Sequence, residues 1–362
     1  MIIDIKKIKC YNNKPTVVLN VYYLLMRQQK MKLFASTLSQ MGSLGLYMTL
    51  GFIIAKFGVI PKDSSKVLSK LENSVFLPAL VLYTFLANFT AATLKDSWLP
   101  LVVSLVVEII IIPISIFVAK RASCDGFIQR MYTYGLCFSN FGFMGNAVVS
   151  ALFPEIYQQY IIFTLPLWTI IYIWAMPGLL MEKDDVAVKD DAKGAKLLSI
   201  LKSFLNPMFI ALIIGAVIGV TGLGKIMLEA NGGKGIFVTQ VIKVLGDCMS
   251  PIAMIMTGIT FAFLDFKKVL GTPSLYAVTL LRLIVYPLVF GGAAWLVKSY
   301  LVDIPDPVYV SLICSLAMPL GLNTVVIPAA YGKDTSIPAG MALVSHVLSI
   351  LTIPLVMMIF IH

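Results

Sequence analysis

Charge is what this sequence has least of. Only 13% of its 362 residues are Asp, Glu, Lys or Arg, whereas 59% are hydrophobic, and the charges cluster between long apolar runs. A soluble domain of this length carries about a quarter charged residues, because its surface must meet water. So few polar groups cannot cover a globule, and the pattern suits a chain whose outer solvent is lipid. Histidine is scarcer still: His346 and His362 are too far apart to form a metal-binding pair on one helix. Cys10, Cys124, Cys137, Cys248 and Cys314 show no paired spacing, which argues against a disulfide framework and a zinc site. No phosphate loop, nucleophile elbow or HExxH motif is present, so ATP-driven transport and the common hydrolases are disfavoured. The formal net charge of +10 reads as lysines on the loops of a membrane protein rather than as a nucleic-acid surface.

What is abundant is the long apolar run. Stretches of about 20 residues cross a hydrocarbon core. They are expected at 36–57, 66–89, 98–119, 127–152, 157–181, 198–221, 236–263, 273–297, 307–331 and 336–361, which predicts an all-α integral membrane fold of about ten helices. The fourth and ninth are interrupted by small and turn-forming residues. The charged stretch 182–197 divides the spans five and five and reads as a solvated linker.

Loop charges set the orientation. Loops after odd-numbered spans hold Lys56, Lys62, Lys66, Lys70, Lys120, Arg121, Arg130, Lys183, Lys189, Lys193, Lys196, Lys202, Lys267, Lys268 and Lys333. The alternate loops hold only Lys95, Lys225, Lys234, Lys243 and Lys298. The first set, with linker 182–197, is therefore expected in the cytoplasm of a plasma-membrane protein, and both termini outside. Residues 1–35 form a basic extension whose apolar part, Val17 to Met26, is too short to span, and Met31 is the expected native start.

The two halves, 36–181 and 198–362, align helix by helix. Gly51 and Gly58 match Gly215 and Gly222; Lys70 and Pro78 match Lys243 and Pro251; Glu108 and Pro113 match Arg282 and Pro287; Cys137 and Asn146 match Cys314 and Asn323. With five spans per unit the second must enter the membrane from the opposite side. Inverted repeats of this kind characterise secondary transporters, which bind substrate near the midplane between discontinuous helices.

The breaks are expected at Ser139–Asn146 and Pro319–Thr324. Glycine weakens a helix through backbone entropy and proline through a missing N–H, and irregular backbone at membrane depth is tolerated where it lines a cavity. Asn146 and Asn323 are expected to cap the half-helices that follow, whose free N–H groups would make an anion site. Glu108 and Arg282 lie inside apolar spans, where charge is costly. They read either as a substrate- or proton-linked site, with the arginine fork on a carboxylate, or as a structural pair or anchor between the halves. Asp247 reads as a proton or cation group or as a cap on a kink before Pro251. His346 reads as a packed histidine or a coupling residue. Methionines and phenylalanines read as lipid-facing or core-filling.

The run SNFGFMGNAVVSALFP resembles the fourth-span signature of the auxin efflux carrier family, bacterial malate-permease branch. LENSVFLPALVLYTFL resembles its second span, and AMPLGLNTVVIPAAYGKDTS with SHVLSILTIPL its ninth and tenth. That resemblance implies a fold similar to bile-acid/sodium symporters, with crossed fourth and ninth helices. It also implies elevator-like movement, a homodimer, and a crossover containing Asn140, Gly142, Gly145, Pro319, Gly321 and Asn323. The substrate site is expected to include Asn146 and Thr324 as well. Asn146-Ala147 stands where the family often has proline, and the long central loop of plant members is absent.

The expected function is secondary transport of a small organic anion, a malate-like dicarboxylate or another weak organic acid, with no cofactor and H+ or Na+ as candidate coupling ions. A sodium-coupled symporter of the bile-acid type would need acidic side chains beside the breaks. An intramembrane enzyme would need a nucleophile–base or metal constellation. A membrane sensor would need a signalling domain. The sequence offers none of these.

Overall fold

The structure, a computed structural model, describes residues 15–361 apart from 62, 182–206, 265–266, 268, 270 and 331–332; side chains of 15–26, 326 and 329–330 are also outside the described set. The expected linker 182–197 and residues 1–14 of the basic extension thus lie outside the described residues. Helices occupy each of the intervals expected to span. They are α1 (Pro15–Lys56), α2 (Ser64–Asn88), α3 (Ala91–Ala122), α4 (Gly126–Cys137), α5 (Phe141–Leu152) and α6 (Pro154–Leu180). Beyond residue 206 come α7 (Pro207–Val220), α8 (Leu223–Gly233), α9 (Phe237–Ala262), α10 (Pro273–Tyr300), α11 (Asp306–Ala317), α12 (Asn323–Ala330) and α13 (Ser336–Phe360).

Among the described residues, seven of these are long and apolar enough to cross a bilayer, or eight if the pair α7 and α8, bent by 77°, counts as one span. The fourth and ninth expected spans are each split into two half-helices, α4 with α5 and α11 with α12. Their break residues include glycine or proline, as the sequence suggests. Val17 to Met26 does not stand apart; it is the first part of the continuous 42-residue helix α1. The ends of α1 and α7 are alike. Gly58 and Gly222 take positive φ values of 72° and 76°, a conformation that glycine adopts without a Cβ clash, and each ends its helix.

Prolines shape the helices from within. Pro78 and Pro287 each follow a wide π turn, Glu72–Phe76 in α2 and Leu281–Val285 in α10. Proline has no N–H for the carbonyl four residues back, and its ring crowds that carbonyl, so the preceding turn opens.

The helices pack as two groups. α1, α2, α7 and α9 lie chiefly against one another, and α3–α6 with α10–α13 form the second group. Close approach makes the first group: a methyl at Gly51 would overlap the Ile255 carbonyl, and one at Gly258 the Met48 carbonyl. Small residues at such positions let helix backbones touch, the main source of helix attraction in lipid. α1 and α9 also touch the second group, through α5 and α13. Leu105, Ile109 and Phe117 of α3 stay exposed, as an outer face against lipid requires.

Candidate functional site

The two breaks meet. Ser139 and Leu320 form an antiparallel bridge, the one strand-like pairing among the described residues. The Asn140 N–H donates to the Pro319 carbonyl at 2.7 Å, and the Gly321 N–H to the Phe138 carbonyl at 3.2 Å. The Ser139 hydroxyl donates to the Ser315 carbonyl at 2.8 Å. Residues 140 and 319 are far apart in the chain, so this junction is a tertiary fact.

Each half-helix presents a defined end to it. The N–H groups of Phe141, Gly142, Phe143 and Met144 open the first turn of α5, and those of Leu322 and Asn323 open α12. None of them donates to main chain outside its own helix. Such ends carry partial positive charge. A cavity of about 10 Å³ lies between them, lined by Tyr134, Asn140, Gly142, Trp168, Gly321 and Asn323, with Ser139, Phe141, Phe143, Ile171 and Leu322. That space holds about one water molecule.

The expected residues divide as follows. Asn140, Gly142, Gly321 and Asn323 line the cavity; Gly145, Asn146, Pro319 and Thr324 do not. Asn146 is not an N-cap. It has helical φ and ψ of −59° and −43°, because the π turn Phe141–Gly145 already starts the helix, and its amide donates back to the Gly142 carbonyl at 2.6 Å. The Asn323 amide likewise does not turn to its own helix but donates to the Tyr134 hydroxyl at 2.9 Å. Thr324 Oγ1 donates to the Gly321 carbonyl at 2.8 Å, bracing the start of α12. Gly145 is helical, so space rather than conformation requires it: a methyl there would overlap the Tyr160 hydroxyl. At Gly142 a methyl would come within 2.5 Å of Trp168 Cζ2.

His346 joins the site through Asn140. Its Nδ1 lies 2.7 Å from the Ala342 carbonyl, which can only accept, so Nδ1 carries the hydrogen. Nε2 then accepts from the Asn140 amide at 2.9 Å, while Phe261 packs edge-on to the ring at 5.8 Å. Asp247 is elsewhere: it is exposed and paired with Lys243 at 2.8 Å, at the end of the first segment of α9.

Glu108 and Arg282 share a second cavity of about 10 Å³ with Ser104, Cys137, Ser139 and Ser315. Both are buried, but no direct ion pair joins them; one oxygen of Glu108 and Nε of Arg282 lack partners. The guanidinium fork is spent on main chain, with Nη1 donating to the Leu136 carbonyl at 3.1 Å and Nη2 to the Ser315 carbonyl at 3.3 Å. It therefore does not face the first cavity.

Several participants escaped the sequence reading. Tyr134, Tyr160 and Trp168 pass for aromatic core, and Phe141 and Phe143 pass for filling although they line the cavity. Only the glycines opposite Tyr160 and Trp168 hint at those contacts. Glu72 is fully buried in the π turn of α2 with both carboxyl oxygens unpartnered. Its signal was legible: an acid inside an apolar span, six residues before a proline.

The profile of the family described as Membrane transport protein matches residues 36–357. No curated protein matches the chain significantly.

Proposed function

Since the chain belongs to the Membrane transport protein family, that of the auxin efflux carriers, a transporter family rather than an enzyme family, we propose that it carries a small organic anion by alternating access, with the substrate bound where the two breaks meet. The observation that supports this most is the convergence of two half-helix N-termini, α5 and α12, on one cavity without a lysine or arginine in its lining. Each end is equivalent to about half a positive charge. Together they balance about one carboxylate, so of the weak organic acids we favour one bearing a single charge over a malate-like dicarboxylate. Trp168, Phe141 and Phe143 give its carbon body an apolar wall.

The cavity is too small for such a molecule, so loading requires α6, with Trp168 and Ile171, to part from the breaks. The two packing groups suit an elevator: α3–α6 and α10–α13 carry the site, and α1, α2, α7 and α9 serve as scaffold. The matched glycines Gly58 and Gly222 and the matched breaks support a 5+5 inverted repeat of ten spans, with the fourth and ninth crossing. A homodimer in the plasma membrane, driven by H+ or Na+, completes the reading.

The test is uptake of labelled mono- and dicarboxylates into proteoliposomes, with pH, sodium and voltage gradients imposed separately. We expect saturable uptake whose affinity falls in Asn140→Ala and Asn323→Ala. Folded protein that moves no carboxylate under any gradient would remove the substrate class.

A further inference from the structure

A helix that stops leaves its last carbonyls without N–H partners, and in lipid no water supplies them. At the two breaks the missing donors can be named. The Leu136 carbonyl would take the N–H of residue 140, but that N–H is diverted to the Pro319 carbonyl across the bridge. The Ser315 carbonyl would take the N–H of residue 319, which is proline and has none. These two orphaned carbonyls, at the C-terminal ends of α4 and α11, are the two that Arg282 reaches, at 3.1 and 3.3 Å. Ser139 adds a hydroxyl to the second.

Charge points the same way. Two helix C-termini amount to about one negative charge, which one guanidinium balances. Arg282 is fully buried, and its hydrogen bonds go to these two ends; the Glu108 carboxyl shares its cavity without a direct ion pair. It projects from the π turn Leu281–Val285 of α10, a helix that packs on both α11 and α13.

We propose that Arg282 is a positioning residue: one side chain supplies the donors that the chain breaks remove from α4 and α11, and so locks the two breaks in register with their opposite, N-terminal ends facing the cavity. The lock is a property of the fold; its importance for transport rests on the function proposed above. Lysine is a point charge without the planar fork and cannot serve two carbonyls in the same geometry. Glutamine offers one amide group.

The experiment is amide hydrogen exchange, read by mass spectrometry on purified wild type, Arg282→Lys, Arg282→Gln and Glu108→Gln, each shown to be monodisperse. We expect Arg282→Gln to speed exchange by about tenfold or more, the scale of a lost charge-assisted bond, in segments 136–145 and 315–324 together. α1 and α9 should be unchanged, Arg282→Lys intermediate, and Glu108→Gln close to wild type. If Arg282→Gln fails to fold, Arg282→Lys carries the test alone. Unchanged exchange at both breaks, or faster exchange confined to α10, overturns the proposal, as does Arg282→Lys behaving as wild type. Exchange needs no substrate, so a protein that moves no carboxylate yet shows the paired effect would remove the carboxylate substrate class and leave the lock standing.

Discussion

Gly145→Ala is the perturbation that the structure specifies most closely. Gly145 is helical, with φ −62° and ψ −45°, so alanine meets no backbone strain and gains about 1 kcal/mol of helix propensity. Space decides against it. The new methyl would overlap the Tyr160 hydroxyl and stand 3.1 Å from Tyr160 Cζ and 3.4 Å from Met318 Cγ. Tyr160 is fully buried, and its hydroxyl donates to the Phe141 carbonyl at 3.0 Å, at the opening of α5. Displacing the ring costs about 1–3 kcal/mol for overpacking and about 1–3 kcal/mol for the stranded hydroxyl and carbonyl. The net expectation is a loss of about 1–5 kcal/mol, with reduced transport because Phe141 begins the proposed site. The assay is thermal unfolding in detergent, run beside Gly42→Ala, where a methyl meets nothing within 4 Å. That control should be neutral or slightly stabilised. Adding Tyr160→Phe to Gly145→Ala removes the clashing oxygen and should recover part of the loss, a favourable coupling of about 1–3 kcal/mol. Gly145→Ala as stable as Gly42→Ala, or strictly additive with Tyr160→Phe, would refute the reasoning.

Other expectations follow from single contacts. Tyr134→Phe and Asn323→Ala each break the bond that ties α4 to α12; each is expected to cost about 1–3 kcal/mol, and the double mutant little more than either. Additive losses on unfolding would show the contact to be idle. Asn140→Ala and His346→Ala should behave as a coupled pair in the same measurement, both lowering uptake, because the histidine holds the amide at the cavity; normal uptake by His346→Ala would contradict that. Glu72→Leu should raise the melting temperature, by about 1–3 kcal/mol in free energy, since it replaces two unpartnered buried oxygens with apolar surface. A lowered melting temperature would mean that the carboxyl binds something the fold depends on.

The sequence alone determined the solvent and the punctuation of this protein. Apolar runs fix where helices lie because lipid offers backbone groups no alternative partner, and glycine, proline and asparagine mark where two of them break because their backbone chemistry is local. Gly58 and Gly222 end their helices for the same local reason. The three-dimensional arrangement decided the partners. That Ser139 bridges Leu320, that Asn140 meets His346, and that Asn323 spends its amide on Tyr134 depend on segments distant in the chain coming together. No periodicity encodes such pairings. Asn146 shows how a local signal can mislead: it has the chemistry of a cap, but a π turn started the helix before it. Arg282 shows both levels at once. Its burial was legible as a charge in an apolar run, whereas its task was not, because the carbonyls it serves are orphaned only once two chain breaks are folded against each other.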